Sequence, residues 1–202
     1  MARVESKMVQ LGTLAPAFEL VDVISGKALS RDDVFTATWD ESKATPGLHA
    51  GLLVMFVCAH CPYVKHLEVE IGNIGRDYAG KIAIAAIQPN DVEQYPADGP
   101  DGMREQAQRL GWNFPYLLDE AQEVARSYGA ECTPDFFLFN SDMELVYRGQ
   151  MDGSRPRRAD GSGNNVLVTG EDLRRAMDEV LAGEKPSEDQ RASLGCSIKW
   201  KA

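Results

Sequence analysis

Two cysteines, Cys58 and Cys61, stand two residues apart in FVCAHCPY, at the end of an apolar run. A pair so spaced could hold a metal, form a structural disulfide or exchange electrons. A structural zinc site takes four ligands, often as two close pairs. Here Cys132 and Cys196 are solitary, and His49 and His66 have no paired ligand beside them. A copper or zinc site of Cys58, Cys61 and a histidine stays as an alternative. Electron exchange asks for one thiol poised as thiolate and a second placed to close a disulfide. A helix N-terminus favours a thiolate through its unpaired amides and positive dipole end. The pattern after Cys58 reads as such a helix, so the Cys58 pKa is expected to be depressed. Cys61, three positions on, can then attack a mixed disulfide formed on Cys58. His60, as an imidazolium between them, would further stabilise the Cys58 thiolate. Its plainer reading is a solvated loop histidine.

The flanking segments have to hold this pair in place. Leu52 to Val57 is a continuous apolar run, as expected of a strand buried on both faces. Val64, Leu67, Ile71 and Ile74 then fall three and four residues apart, on one helical stripe. Ile82 to Ile87 reads as the next buried strand, and residues 88–102 as a loop. Met103, Ala107 and Leu110 line a short helix that Gly111 suits to end. Phe114 to Leu118 reads as a strand, and Asp119 as the cap of a helix closed by Gly129. Phe136 to Phe139 and Leu145 to Tyr147 form a hairpin, and Thr169 with Asp172 a variant capping box for a last helix. A short strand over Phe18 to Val23 comes first, and residues 36–50 read as a surface loop. The order is that of an α/β domain with a central sheet covered on both faces. Function in such sheets sits beyond the carboxyl ends of strands, where FVC lies.

The 202 residues suit one domain, with a core over 14–183 and a tail over 184–202. A net charge of -10 disfavours nucleic acid and anionic membrane as partners, since both need a basic face. No apolar run reaches the length of a signal or spanning segment, so the expected location is the cytoplasm, where thiols stay reduced. Four cysteines there argue against a disulfide framework and for a catalytic or metal-binding pair.

Three further features bear on the pair. Pro134, in GAECTPDFFLF, stands just ahead of an apolar strand, where proline is tolerated. A cis Thr133-Pro134 bond would turn the chain and leave the Thr133 backbone open to an extended substrate; a trans bond is the ordinary alternative. Cys132 reads as a small buried residue, with a direct redox role as the alternative. In the tail, Cys196, Ile198 and Trp200 alternate with Ser197, Lys199 and Lys201. That period of two predicts an extended segment docked on the domain, anchored by Trp200. Cys196 is then a packing residue or a second resolving thiol for Cys58.

Taken in order, FVCAHCPYVKH, QPNDVEQYPADGP, YGAECTPDFFLF, DGSRP and LGCSIKW resemble the peroxiredoxin-like proteins of the thioredoxin superfamily, grouped with alkyl hydroperoxide reductase and thiol-specific antioxidant (AhpC/TSA). The likeness runs from about Leu14 to Trp200. It implies a thioredoxin-like fold: a mixed central sheet with helices on both faces, an N-terminal extension and an extended C-terminal tail. It makes Cys58 the exposed attacking thiol, Cys61 the resolving thiol and Pro134 the cis-proline facing them. His60 matches a histidine of several strongly oxidising relatives. Peroxiredoxins proper carry Pro-x-x-x-Thr/Ser-x-x-Cys; here Gly51 and Met55 hold those places ahead of Cys58. The implied activity is thiol-disulfide exchange, with thiol peroxidase, or a metal-binding or redox-sensing protein, as alternatives. Implied partners are a disulfide-containing protein or a small thiol or peroxide, plus a cellular reductant, with no cofactor and no metal.

Overall fold

The computed structural model describes residues 3–37, 49–159 and 161–201. Strand β4 (Gly51–Phe56) is the centre of the fold and every one of its residues is buried. Its side chains alternate. Leu53 and Met55, with Val57 beyond, face one core layer; Leu52, Val54 and Phe56 face the other. The continuous apolar run thus serves two layers at period two.

Seven strands form the main sheet in the order β3-β2-β6-β5-β4-β8-β9. They are β2 (Glu19–Asp22), β3 (Ala28–Ser30), β4, β5 (Ala83–Gln88), β6 (Tyr116–Leu118), β8 (Asp135–Asn140) and β9 (Leu145–Gly149). Strands β4, β5 and β6 run parallel, and β8 pairs antiparallel with β4 and β9. On one face lie α2 (Pro62–Asp77), α3 (Pro100–Leu110) and α5 (Glu171–Leu181), which contribute Val64, Ile71, Met103 and Met177 to the core. On the other lie α1 (Arg31–Thr36) and α4 (Glu123–Tyr128), with Val34, Phe35 and Tyr128. A second, three-stranded sheet joins β1 (Arg3–Glu5), β10 (Leu194–Ser197) and β7 (Cys132–Thr133) in the order β1-β10-β7.

Several local features differ from the sequence reading. Helix α1 is new: Ser30 and Asp33 form a reciprocal capping box, and six residues are too few to show a period. The region 36–50 was expected to be a loop; Thr36 closes α1, and 38–48 lie outside the described residues. The segment 88–102 is not loop throughout, because a 3-10 turn (Pro96–Asp98) and the start of α3 fall within it. Both begin with a proline, which is tolerated at a first helical position because the missing N–H needs no partner there. Thr169 and Asp172 do not cap α5. Its N-cap is Gly170, at φ 67°, and the amides of Thr169 and Gly170 donate to Asp152 Oδ2 at 2.8 Å each. Asp119 does cap α4 through its carboxylate, which accepts the Ala125 N–H at 2.8 Å, although the N-cap residue is Gln122. No helix among the described residues is long and apolar enough to cross a membrane.

Candidate active site

Strand β4 carries the chain to Cys58, and α2 begins four residues later at Pro62. Proline at the first helical position fixes the start there and makes Cys61 the N-cap. The helix end therefore belongs to Cys61, three residues beyond the place the sequence reading gave it. Cys58 stands upstream of the first turn.

Both thiols converge on Thr133, whose bond to Pro134 is cis. Cys58 Sγ lies 3.3 Å from Thr133 Oγ1. Cys61 Sγ lies 3.2 Å from the Thr133 carbonyl oxygen, to which its thiol form donates. Cys58, Cys61 and Cys196 lie in one buried cluster, and each of the outer two acts electrostatically on Cys61. The expected depression of the Cys58 pKa is reversed. Burial, the neighbouring Cys61 sulfur and the Asp98 carboxylate push the Cys58 thiol well above its ordinary range. The Cys196 and Cys58 thiols instead pull Cys61 well below it, helped by the Val64 amide in the first helical turn. Of the two thiols, Cys61 is the one whose surroundings favour the thiolate.

Cys58 is 1% exposed and Cys61 0%, so the attacking thiol is not at the surface as the resemblance implied. The reason lies in the tail. Strand β10 pairs antiparallel with β7, setting Cys196 opposite Thr133 and Ser197 opposite Cys132. The Thr133 backbone, expected to be open to a substrate, is thus covered by the chain's own C-terminal segment. Gly195 permits the approach, since a Cβ there would run into the Thr133 carbonyl oxygen. Beyond the strand, Ile198 N–H donates to the Glu131 carbonyl oxygen at 3.0 Å and Lys199 N–H to Asn90 Oδ1 at 2.9 Å. Of the alternating tail residues Cys196, Ile198 and Trp200, the first two are buried. Trp200, expected as the anchor, is only partly buried and lies under the Arg126 guanidinium, 4.2 Å from the ring centre. An indole edge left in water contributes less than full burial would.

The segment after β5 supplies groups the sequence did not point to. Asp98, fully buried, accepts the His60 backbone N–H at 2.9 Å and the Asn90 side-chain amide at 2.8 Å. His60 Nδ1–H also donates to it, and the His60 ring stacks on Tyr95 at 5.5 Å. His60 is therefore held rather than solvated. Its loop composition was visible, but a partner 38 positions away was not. Cys58, His60 and Asp98 each bring one ligand atom within 4.8 Å of the others. Both Asp98 oxygens are engaged by His60 and Asn90, while the buried His60 Nε2 has no hydrogen-bond partner among the described residues. Cys132 is buried, but its thiol turns to the Pro134 carbonyl oxygen at 3.5 Å, and burial pushes its pKa up. His49 donates to the Phe35 carbonyl oxygen and His66 meets Ser154, both away from the thiols. A cleft of about 800 Å³ beside Gln10, Asn140 and Arg148 contains none of the four cysteines.

Several solved structures are similar to this chain as a whole. A conserved protein of uncharacterized function from Geobacillus kaustophilus is 45% identical, with a TM-score of 0.88 over 100% of this chain and 97% of its own. A hypothetical protein from Sinorhizobium meliloti 1021 is 37% identical, with a TM-score of 0.87 over 98% of each chain. The pneumococcal exposed lipoprotein thioredoxin from Streptococcus pneumoniae shares the fold at 13% identity, with a TM-score of 0.53 over 81% of this chain and 99% of its own. Comparison with curated proteins gave no match. The fold is thioredoxin-like, and residues 11–148, well over half of the sequence, match the AhpC/TSA family. The chain belongs to the AhpC/TSA family.

Proposed function

We propose that the protein is a thiol-disulfide oxidoreductase in which Cys58 attacks and Cys61 resolves. The observation that carries this reading is the convergence of the two sulfurs on the two oxygens of Thr133. The Cys58 proton passes to the neighbouring Cys61 thiolate. The Cys58 thiolate then attacks one sulfur of a substrate disulfide and expels the other as a thiolate, which takes a proton from solvent. Cys61 next loses its proton and attacks Cys58, closing the Cys58–Cys61 bond and releasing the second substrate thiol. A cellular dithiol or reductant returns the pair to its starting state. Because β10 covers Thr133, an extended protein substrate reaches the pair by displacing the tail. A small disulfide has less to displace. A reducing compartment such as the cytoplasm suits a pair that works from the dithiol form.

A second reading, thiol peroxidase, draws on one contact. The hydroxyl missing at Met55 has a counterpart in Thr133 Oγ1, 3.3 Å from Cys58 Sγ. One set of assays separates the two. The full chain is given dithiothreitol and either insulin or hydrogen peroxide. Insulin reduction that Cys58→Ser abolishes, with mixed disulfides trapped by Cys61→Ser, is the expected result. Peroxide consumption dependent on Cys58, with insulin untouched, would replace the first reading by the second.

A further inference from the structure

Three of the four cysteines share one buried site, although they are separated by up to 138 positions in the chain. Directly opposed residues of an antiparallel pair project on the same side of the ribbon. Cys196 is opposite Thr133, so its side chain points where Thr133 Oγ1 points, toward Cys58 and Cys61. Cys132 is opposite Ser197 and projects the other way. The alternation of β7 and β10 thus selects Cys196, and not Cys132, to join the pair. Cys58, Cys61 and Cys196 belong to one core layer, and Cys61 is the neighbour that acts most strongly on the Cys196 thiol. A cysteine kept only for packing has no need of this partner, and an alanine or valine would fill the layer as well.

We infer that Cys196 is a third redox thiol, which attacks the Cys61 sulfur of the Cys58–Cys61 disulfide and moves the bond to Cys61–Cys196. The step rests on the thiol-disulfide reading for its first disulfide, which the substrate disulfide supplies. One S–S bond breaks and one forms. Cys58 leaves as thiolate and takes the proton that Cys196 gives up, so no further oxidant or reductant enters. The result is a free Cys58 beside an oxidising equivalent stored on the tail strand. The charge arrangement suits the order of events. The Cys61 thiolate raises the Cys196 thiol first of all, and burial adds to it. Once Cys61 is bound in a disulfide that charge is gone, while Lys199 and Arg158 still favour a Cys196 thiolate. The mixed placement also explains why the tail carries Gly195 before Cys196: only a glycine lets the strand come close enough to the Thr133 backbone.

The test is disulfide mapping on the full chain. Reduced wild-type protein is treated with diamide until two thiols are lost, alkylated in acid and digested without reduction. Cys58→Ser and Cys196→Ser proteins receive the same treatment. Expected are both Cys58–Cys61 and Cys61–Cys196 in the wild type, and Cys61–Cys196 alone in Cys58→Ser. Alkylated Cys58 in the oxidised sample should fall several-fold in Cys196→Ser. If Cys196 stays fully alkylated in both wild type and Cys58→Ser, the inference is overturned, even where insulin is reduced. A Cys61–Cys196 bond in a protein that reduces no disulfide would uphold the third thiol and remove the proposed activity.

Discussion

Gly195 packs its α-carbon against the Thr133 carbonyl, leaving no room for a side chain. The contact joins the tail strand to the residue on which both active-site thiols converge. Gly195→Ala should therefore push β10 off β7. Overpacking of this kind costs about 1–3 kcal/mol. Where that cost falls on tail docking, the open form becomes roughly 5- to 150-fold more populated. Faster alkylation of Cys58 and Cys61 in the reduced variant, with a lower melting temperature, is the expected outcome. Alkylation at the wild-type rate would mean that the tail does not guard the thiols.

A second prediction concerns Asp98. Its buried carboxylate faces Cys58 and opposes ionisation of that thiol. Asp98→Asn removes the charge while keeping an oxygen for the His60 amide. Removing a negative neighbour favours the thiolate, so the Cys58 pKa moves down. The pH profile of Cys58 alkylation should shift to lower pH, and thiolate absorbance should appear earlier in a titration. A shift to higher pH would show that the carboxylate acts mainly by holding His60, and the electrostatic account would fail.

Asp152 is the third. Burial alone would raise its pKa, but hydrogen bonds from Ser154 and from the Gly170 and Thr169 amides outweigh it, and the folded value lies below the ordinary 3.8. A carboxyl depressed in the folded state stabilises the fold above its unfolded pKa. That contribution is lost as pH falls through the folded value. Asp152→Ala should cost about 2–3 kcal/mol at neutral pH, from a lost helix cap and charge-assisted hydrogen bonds. The gap between variant and wild type should close in acid. Urea midpoints at neutral and acid pH measure it, and a gap that stays constant across that range would exclude the carboxylate as its source.

The same residue shows what the sequence can and cannot reveal. Strand β4 was legible as a continuous apolar run and helix α2 as an apolar stripe at helical spacing, each within neighbouring positions. The Cys58-Cys61 spacing and Thr133-Pro134 were legible for the same reason: each is a local pattern. The cap of α5 was not, because Asp152 reaches it from 17 residues upstream, while Thr169 and Asp172 offered a plausible local substitute. Which thiol receives the helix end turned on Pro62, which sets the N-cap at Cys61. The alternation of the tail foretold a buried side but not its neighbour, since that depends on the register Cys196–Thr133 between segments 63 positions apart. Asp98 and Gln122 carried no signal in the sequence, because each acts through partners distant along the chain.

Gln122 gives the last prediction. Its backbone is left-handed, at φ 61° and ψ 17°, a region that costs a residue with a side chain about 1–2 kcal/mol. The side chain offsets this by clamping the tail. Nε2 donates to the Pro89 carbonyl oxygen at 2.6 Å and to that of Lys199 at 2.8 Å. Oε1 accepts the Lys201 N–H at 2.7 Å. Two substitutions separate backbone from clamp. Gln122→Ala keeps the strain and loses the hydrogen bonds, each contributing about 1 kcal/mol. Gln122→Gly loses the same bonds and relieves the strain, so it should be more stable than the alanine variant by about 1 kcal/mol. Both should free the tail equally, which trypsin reads as faster cleavage after Lys199. Equal stability of the two variants would discount the strain, and wild-type cleavage rates in both would discount the clamp.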